Sequence, residues 1–327
     1  MTKSREEKLD KIPVINVIVR FFKTIKLPGF EGLSLYDLLE LYAMGIIKGA
    51  ITTRASAIAF SFFTAIFPFL LFVVIVMPHI PIENFQLEFE RFLNSFLPPQ
   101  TSEFFFVNIF ENINQGGSAG LLSSVFLLSM LLMANGVSAV FSGFENSYHE
   151  QLTRSVFKQY MYALGVSLIL AILVLLTVAI FGYFQIYIIQ PLFLGITGED
   201  ALTSKIGLDW IVFAKYLFFI TMVYLATATL YYFGTKEGRN TRFFSVGALF
   251  TTLLIMLTSY LFGIYIDNFS QYNELYGSIG ALLILLFYLW LNSNILLLGY
   301  ELNASLQHFK KHSKVKEPET MKPEALK

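Results

Sequence analysis

The sequence predicts an all-α, polytopic membrane protein with about six transmembrane helices and additional interfacial amphipathic helices. Three observations predict this fold class. Apolar residues make up 55% of the 327 residues and charged residues only 14%, whereas soluble proteins average about 25% charged. Six apolar stretches are long enough to cross ~30 Å of hydrocarbon. Lys and Arg are also distributed very unevenly among the segments that join these stretches.

The six stretches each reach or exceed the roughly 20 residues of helix that a bilayer requires. They occupy residues 55–78, 119–141, 160–189, 210–233, 243–266 and 279–302. We divide the chain into a cytoplasmic N-terminal segment, 1–54, a transmembrane domain, 55–305, and a cytoplasmic tail, 306–327. The tail is rich in Lys and contains two prolines, a composition that predicts disorder.

Two segments outside these stretches carry apolar residues at helical spacing. The outer loop 79–118 contains a stripe of Phe and Leu side chains that ends at Pro98 and Pro99, followed by a second stripe after residue 105. Residues 33–48 show the same pattern before the first stretch. We interpret both segments as amphipathic helices in the membrane interface. A small folded cap over the bundle is an equally consistent interpretation of 79–118.

The positive charges predict the orientation of the chain. Twenty Lys and Arg residues lie in the N-terminal segment, in the loops after the second and fourth stretches, and in the tail. The remaining loops hold only two, Arg91 and Lys205. Cytoplasmic segments of membrane proteins are enriched in Lys and Arg. Both termini are therefore predicted to be cytoplasmic, which requires an even number of spans.

The composition argues against several classes of enzyme. The chain has no Cys, which excludes disulfides, thiolate metal sites and cysteine nucleophiles. Of its four His, only His308 and His312 have regular spacing, and they lie in the Lys-rich tail, where solvation explains them better than a metal does. No phosphate-binding glycine loop or nucleophile elbow is apparent. We therefore predict that the protein is not an enzyme and needs no metal or cofactor.

Charged residues near the ends of the stretches are the first candidate functional or packing residues. Arg54, at the cytoplasmic start of the first stretch, is interpreted as an anchor that contacts lipid phosphate, or else as the partner of Glu301 in a salt bridge. Lys215 is expected to extend to the interface. Its alternatives are a contact with lipid phosphate or with Asp267 at the outer end of the fifth stretch.

Polar or helix-breaking residues inside the stretches are the remaining candidates. Pro68 removes a backbone donor in the middle of the first stretch and predicts a kink or break. Asn135 and Asn292 carry amides that should face protein or water and bond across helices. We favour interhelical packing over a substrate site for both amides.

Five different motifs lie along the chain in a characteristic order and spacing. They are the run from Arg54 to Pro68, Asn146–Tyr148 followed by Arg154, Gly247–Ala248, Tyr276–Ala281 and Leu298–Asn303. Together they resemble the YihY/BrkB family of bacterial inner-membrane proteins, which formerly carried a ribonuclease BN label. Two positions depart from the family pattern: no Pro follows the aromatic residues at 232–233, and Tyr300 stands where the family more often has Ala.

The resemblance implies six transmembrane helices in the bacterial cytoplasmic membrane with both termini inside, in agreement with the charge count. It implies no settled activity. A metallo-ribonuclease needs a cluster of His and Asp ligands, which four scattered His cannot form. Links of the family to envelope integrity, serum resistance and lipid transport favour lipid transport or lipid handling.

The alternative function is a non-transporting envelope-integrity scaffold that binds other membrane proteins. The expected partners are accordingly membrane lipids and envelope proteins, and not nucleic acid. The sequence leaves the oligomeric state open.

Overall fold

The protein is an all-α bundle in a computed structural model that describes residues 20–26, separate positions within 34–50, and 51–76, 119–145, 155–184, 201–234, 242–268 and 278–315. Its six long helices are α1 Ile51–Val76, α2 Ala119–Glu145, α3 Val156–Phe184, α4 Ala201–Gly234, α5 Val246–Asn268 and α6 Ser278–Val315. All six are long and apolar enough to cross a membrane, which confirms the predicted fold class. The described ranges contain no β-strand, only an isolated bridge between Lys26 and Ser34.

Helices are the expected solution for these apolar segments because lipid offers no partner for an exposed backbone N–H or C=O. Hydroxyl groups within the helices also find their hydrogen-bond partners in their own helix. Thr177 Oγ1 donates to the carbonyl of Leu173 at 2.7 Å, and Thr252 Oγ1 donates to that of Ala248 at 2.8 Å. Such bonds remove the need for a partner on another helix.

Several predicted boundaries are wrong because the helices continue beyond the apolar stretches. Helix α4 begins at Ala201, so residues 201–209 are helical and do not belong to a loop. Helix α6 continues to Val315, so the prediction of disorder for the tail is wrong over residues 306–315. A helix can continue through polar residues because it needs only its backbone hydrogen bonds. A limit predicted from hydropathy instead falls where the polar residues begin.

Two other predictions fall largely outside the described residues. None of the loop 79–118 is described. In the segment 33–48, the described residues 35–36, 39–40, 43 and 47 have helical backbone, as an interfacial helix requires, and the others lie outside the described part.

The six helices form a ring in sequence order. Each helix packs against its neighbours in the chain, and α6 closes the ring by packing against α1. Helix α2 also contacts α4 and α6. Half of the α2 span is buried, the largest share of the six, compared with 18% for α3. Helix α2 is therefore the central element of the bundle.

The buried core lies at one end of the ring. We call it the Arg54 end: the first turns of α1, α3 and α5, the facing last turns of α2 and α4, and residues 295–306 of α6. Fully buried side chains there include Ile58, Val140, Phe141, Phe144 and Leu297. Away from this end, many large apolar side chains are exposed, as expected where lipid replaces protein as the neighbour.

Glycines permit the closest helix contacts at the Arg54 end. A Cβ at Gly247 of α5 or at Gly299 of α6 would collide with the backbone carbonyl of the other residue. On the other side of the ring, a Cβ at Gly143 of α2 would lie 2.8 Å from Ile58 Cδ1 of α1. Small residues at these contacts let the backbones approach, the usual means of helix association in membranes.

Replacement of Gly299 by Ala tests this close contact. The new Cβ would lie 2.7 Å from Tyr231 Oη and 2.8 Å from the Gly247 carbonyl oxygen. We expect Gly299→Ala to lower the free energy of unfolding by about 1–3 kcal/mol, as overpacking does, which thermal unfolding in detergent would measure. Gly263→Ala on α5 is the matched control, because no atom lies within 4 Å of its Cβ position. Equal melting temperatures for the two variants would contradict close packing of α5 against α6.

Candidate functional site

A buried ion pair joins the first and last helices of the ring. Arg54 Nη2 of α1 lies 2.9 Å from Glu301 Oε1 of α6, and the two side chains are 10% and 0% exposed. The salt bridge considered from the sequence is therefore present, and Arg54 is not a free anchor at the membrane surface. Because the pair spans the contact that closes the ring, it fixes how α1 and α6 meet.

Arg54 also binds a third helix. Its Nη1 donates a hydrogen bond to the Gly143 carbonyl of α2 at 2.6 Å. The Nε atom is buried and has no hydrogen-bond partner among the described residues. One guanidinium thus joins α1, α2 and α6, and the rigid fork of the Arg side chain directs separate N–H groups at the two acceptors.

The position of Arg54 explains why a carboxylate is needed beside it. Arg54 lies in the first turn of α1, where the helix dipole carries partial positive charge and disfavours a cation. Glu301, fully buried, supplies the compensating negative charge. A buried ion pair adds little net stability, but removal of one member leaves an uncompensated charge. The pair therefore specifies the helix arrangement more than it stabilises it.

A cluster of aromatic side chains packs beside the ion pair. The rings of Phe144 and Tyr300 stack at 4.2 Å with an interplanar angle of 11°, and the Tyr231 ring meets Phe144 edge-on at 5.5 Å. The Tyr231 hydroxyl lies 2.6 Å from Thr251 Oγ1 and donates to the Leu296 carbonyl at 2.7 Å. Tyr231 therefore connects α4 to α5 and α6 through a buried polar group that is fully bonded.

The start of α5 is held by a side chain of α6. Asn303 Oδ1 accepts a hydrogen bond from the Gly247 backbone N–H at 2.8 Å, and its Nδ2 donates to Ser245 Oγ at 2.8 Å. Ser245 Oγ in turn accepts from the Ala248 backbone N–H at 3.2 Å. The Ser before a run of apolar residues is a recognisable N-cap in the sequence, but sequence reasoning missed both it and the role of Asn303.

The other proposed site residues do not join this cluster. Helix α1 runs unbroken through Pro68, so the first helix has no break there, and the kink considered as its alternative stays a prediction. Asn292 donates from Nδ2 to the Tyr288 carbonyl of its own helix at 2.9 Å, and its buried Oδ1 has no partner among the described residues. Among the described residues, Asn292 therefore bonds within its own helix and not across helices as expected.

Asn135 also differs from expectation. It is exposed on the surface of the bundle, midway along α2, instead of packing between helices. The side chains of Lys215 and Asp267 lie outside the described part of the structure, as does Asn146, so the contacts considered for them stay predictions.

The polar and aromatic groups at the Arg54 end hold the helices together. They comprise one ion pair, hydrogen bonds from hydroxyl and amide groups, and stacked aromatic rings. Within the described ranges, no group of three His, Cys, Asp or Glu side chains is placed to hold a metal ion.

Comparison with known families identifies the chain. The model of the family described as Virulence factor BrkB matches residues 45–324, a range that includes the ion pair, the aromatic cluster and all six helices. The chain belongs to the BrkB family. No solved structure matches it.

Relatives of this BrkB-family protein occur in several bacteria. It is 24% identical to "Putative ribonuclease-like protein YfkH" of Bacillus subtilis over 79% of this chain and 91% of that protein. It is 23% identical to a UPF0761 membrane protein of Alteromonas mediterranea over 84% and 88% of the two chains. A UPF0761 membrane protein of Psychrobacter sp. is 19% identical over 87% of this chain, which spans 51% of that longer relative.

The ion pair of this BrkB-family protein can be tested by a double-mutant cycle. We expect Arg54→Met and Glu301→Gln each to lower the free energy of unfolding by about 3–5 kcal/mol, because each leaves a buried charge unpaired. The double variant Arg54→Met/Glu301→Gln should lose much less than the sum of the two. Unfolding in detergent, followed by circular dichroism, would measure all three.

Arg242→Met is the control for loss of a positive charge. Arg242 is exposed near the start of α5, and its replacement should change stability by no more than about 0.5 kcal/mol. Strictly additive losses in the double variant would show that Arg54 and Glu301 are not coupled.

Proposed function

We propose that this BrkB-family protein transports or otherwise handles membrane lipids. The observation that carries the proposal is the uneven packing of the ring. The Arg54 end is closed by the buried core and the ion pair. The opposite half is open along four of the six helices.

The open half can be defined from burial. Among the described side chains, none is buried in residues 172–184 of α3, 213–226 of α4, 253–265 of α5 or 282–292 of α6. These ranges cover several helical turns, so every face is at least partly uncovered, including the faces turned towards neighbouring helices. Protein interiors are otherwise close-packed. The partly exposed apolar surfaces of these helices match the acyl chains of lipids.

Helices α1 and α2 behave differently in the same half of the bundle. Leu70, Phe72 and Val73 of α1 stay buried, as do Met130 and Met133 of α2. This pair therefore forms a continuous wall along the membrane. Helices α3 to α6 are less completely covered there, although α5 still meets α6 through the hydroxyls of Ser259 and Tyr288, which lie 2.6 Å apart. A wall with loosely packed partners is suited to a protein in which lipids enter between helices.

The proposal includes an orientation. The distribution of Lys and Arg favours a cytoplasmic position for the Arg54 end. The open half then faces the outer leaflet, and lipid would exchange with that leaflet first. The location proposed with it is the bacterial cytoplasmic membrane, with both termini on the inside.

Movement of phospholipid in proteoliposomes tests the function. We expect vesicles containing the purified protein to expose a fluorescent phospholipid of the inner leaflet to dithionite faster than empty vesicles do. Arg54→Ala should lower this rate towards that of empty vesicles, because α1, α2 and α6 lose their common contact. Arg242→Ala, which removes an exposed positive charge, should retain the rate.

The amount of folded protein must be matched in each preparation by size-exclusion chromatography. A wild-type protein that is folded and inserted but moves no more lipid than empty vesicles would overturn lipid transport. That outcome would favour the scaffold function, for which crosslinking in native membranes would identify stable protein partners.

A further inference from the structure

We infer that a phospholipid headgroup enters the membrane along a polar track at the contact between α2 and α3. The α2–α3 track comprises Asn135, Ser138 and Ser142 of α2 and Gln159 and Tyr160 of α3. This inference rests on the proposed lipid function and assigns a specific route to it.

Hydrogen bonds place four of the five residues at the contact between α2 and α3, and helical spacing places Asn135 beside them. Gln159 Nε2 donates to Ser142 Oγ at 2.8 Å and is 3.3 Å from the Ser138 carbonyl. Tyr160 Oη donates to the Leu131 carbonyl at 2.7 Å. Positions 131, 135, 138 and 142 share one face of α2 by their helical spacing. Asn135 therefore lies on the same face as the groups that Gln159 and Tyr160 contact.

The track is open to the surroundings of the bundle. Asn135 and Ser142 are exposed and Ser138 is partly exposed. Gln159 is buried, 8% exposed, and forms the inner side of the track. An exposed amide in the middle of a transmembrane helix is costly in hydrocarbon, and such residues commonly line a path for a polar substrate.

The residues around the track match the parts of a phospholipid. Lys158, next to Gln159 at the Arg54 end, is exposed and can attract a phosphate. Phe157 precedes Lys158 in α3 and Met161 follows it by three residues. Their side chains are 76% and 52% exposed and offer apolar surface to acyl chains. A cation at the entrance, uncharged polar groups beyond it and apolar flanks together favour a lipid over the apolar helix of another membrane protein.

The length of the track sets how far a headgroup can travel. Ser142 and Asn135 are seven positions apart, a rise of about 10 Å along the helix, which is a third of the ~30 Å hydrocarbon core. Beyond Asn135 the same face is apolar, with Leu131 and Leu128 47% and 57% exposed. The track therefore carries the headgroup about a third of the way across the hydrocarbon core from the Arg54 end.

Lipid movement in proteoliposomes gives the first test. Asn135→Leu should lower the rate of phospholipid movement about tenfold, since the headgroup loses its only amide partner at the deepest point of the track. Asn294→Leu is the matched control. Asn294 is also an amide within a span, but it lies on α6 and donates to the Trp290 carbonyl of its own helix at 2.8 Å. Its replacement should leave the rate within about twofold.

Thiol labelling gives a second test that does not depend on flux. The chain contains no Cys, so a single introduced Cys is the only thiol. A charged methanethiosulfonate reagent, which reacts only with hydrated thiols, should label Asn135→Cys at least tenfold faster than Leu132→Cys. Leu132 lies at nearly the same depth and is 42% exposed on a different face of α2.

The outcomes separate the two proposals. If the wild-type protein moves lipid but Asn135→Leu moves it equally fast, the track is not the route, although the lipid function stands. If Asn135→Cys reacts as slowly as Leu132→Cys in native membranes, the position is dry or covered by another protein, and the track is overturned. A wild-type protein that moves no lipid overturns both proposals.

Discussion

The arrangement of this bundle depends on the need to neutralise one charge within a low-dielectric interior. Arg54 lies in the first turn of α1, and its guanidinium can stay there only if an anion and backbone acceptors surround it. Glu301 and the Gly143 carbonyl meet that need from α6 and α2. Because α1 and α6 are the first and last helices of the ring, this requirement also closes the ring.

Close packing at the Arg54 end follows from residues of complementary size. Gly247 and Gly299 let α5 approach α6, and the space beside them is filled by Tyr231 with its hydroxyl bonded on both sides. The stacked rings of Phe144 and Tyr300 extend the same packed layer to α2. In the opposite half of α3 to α6, no described side chain is buried over the ranges given above, although the rings of Phe262 and Tyr288 meet at 4.8 Å between α5 and α6. The same helices are thus closely packed at the Arg54 end and more exposed at the opposite end.

The polar residues within the spans fall into two groups. Most hydroxyl and amide groups, such as Thr252 and Asn294, bond to their own helix and need no partner elsewhere. Gln159 and Tyr160 instead bond to α2 from α3, beside the exposed amide of Asn135. Gln159 is itself buried, but it lies next to the exposed Lys158 and between α3 and the exposed face of α2. This difference in placement distinguishes the α2–α3 track from ordinary helix packing.

The sequence by itself determined the fold class, the number of spans and their approximate limits. Bilayer thickness and local hydrophobicity suffice for these, because each span satisfies its own backbone hydrogen bonds. The limits failed where helices outlast their apolar residues, as in α4 from Ala201 and in α6 to Val315. The five motifs likewise indicated the BrkB family before any contact was known.

Only the tertiary structure decided which polar residues meet. Arg54 and Glu301 are 247 residues apart in the chain, and local sequence left the ion pair and a lipid anchor as alternatives. Asn135 and Asn292 are both amides inside predicted apolar stretches. In the structure, Asn135 is exposed on α2, whereas Asn292 bonds to its own helix. Hydrophobicity fixes the depth of a residue in the membrane, whereas its neighbours depend on how each helix is rotated and packed against the others.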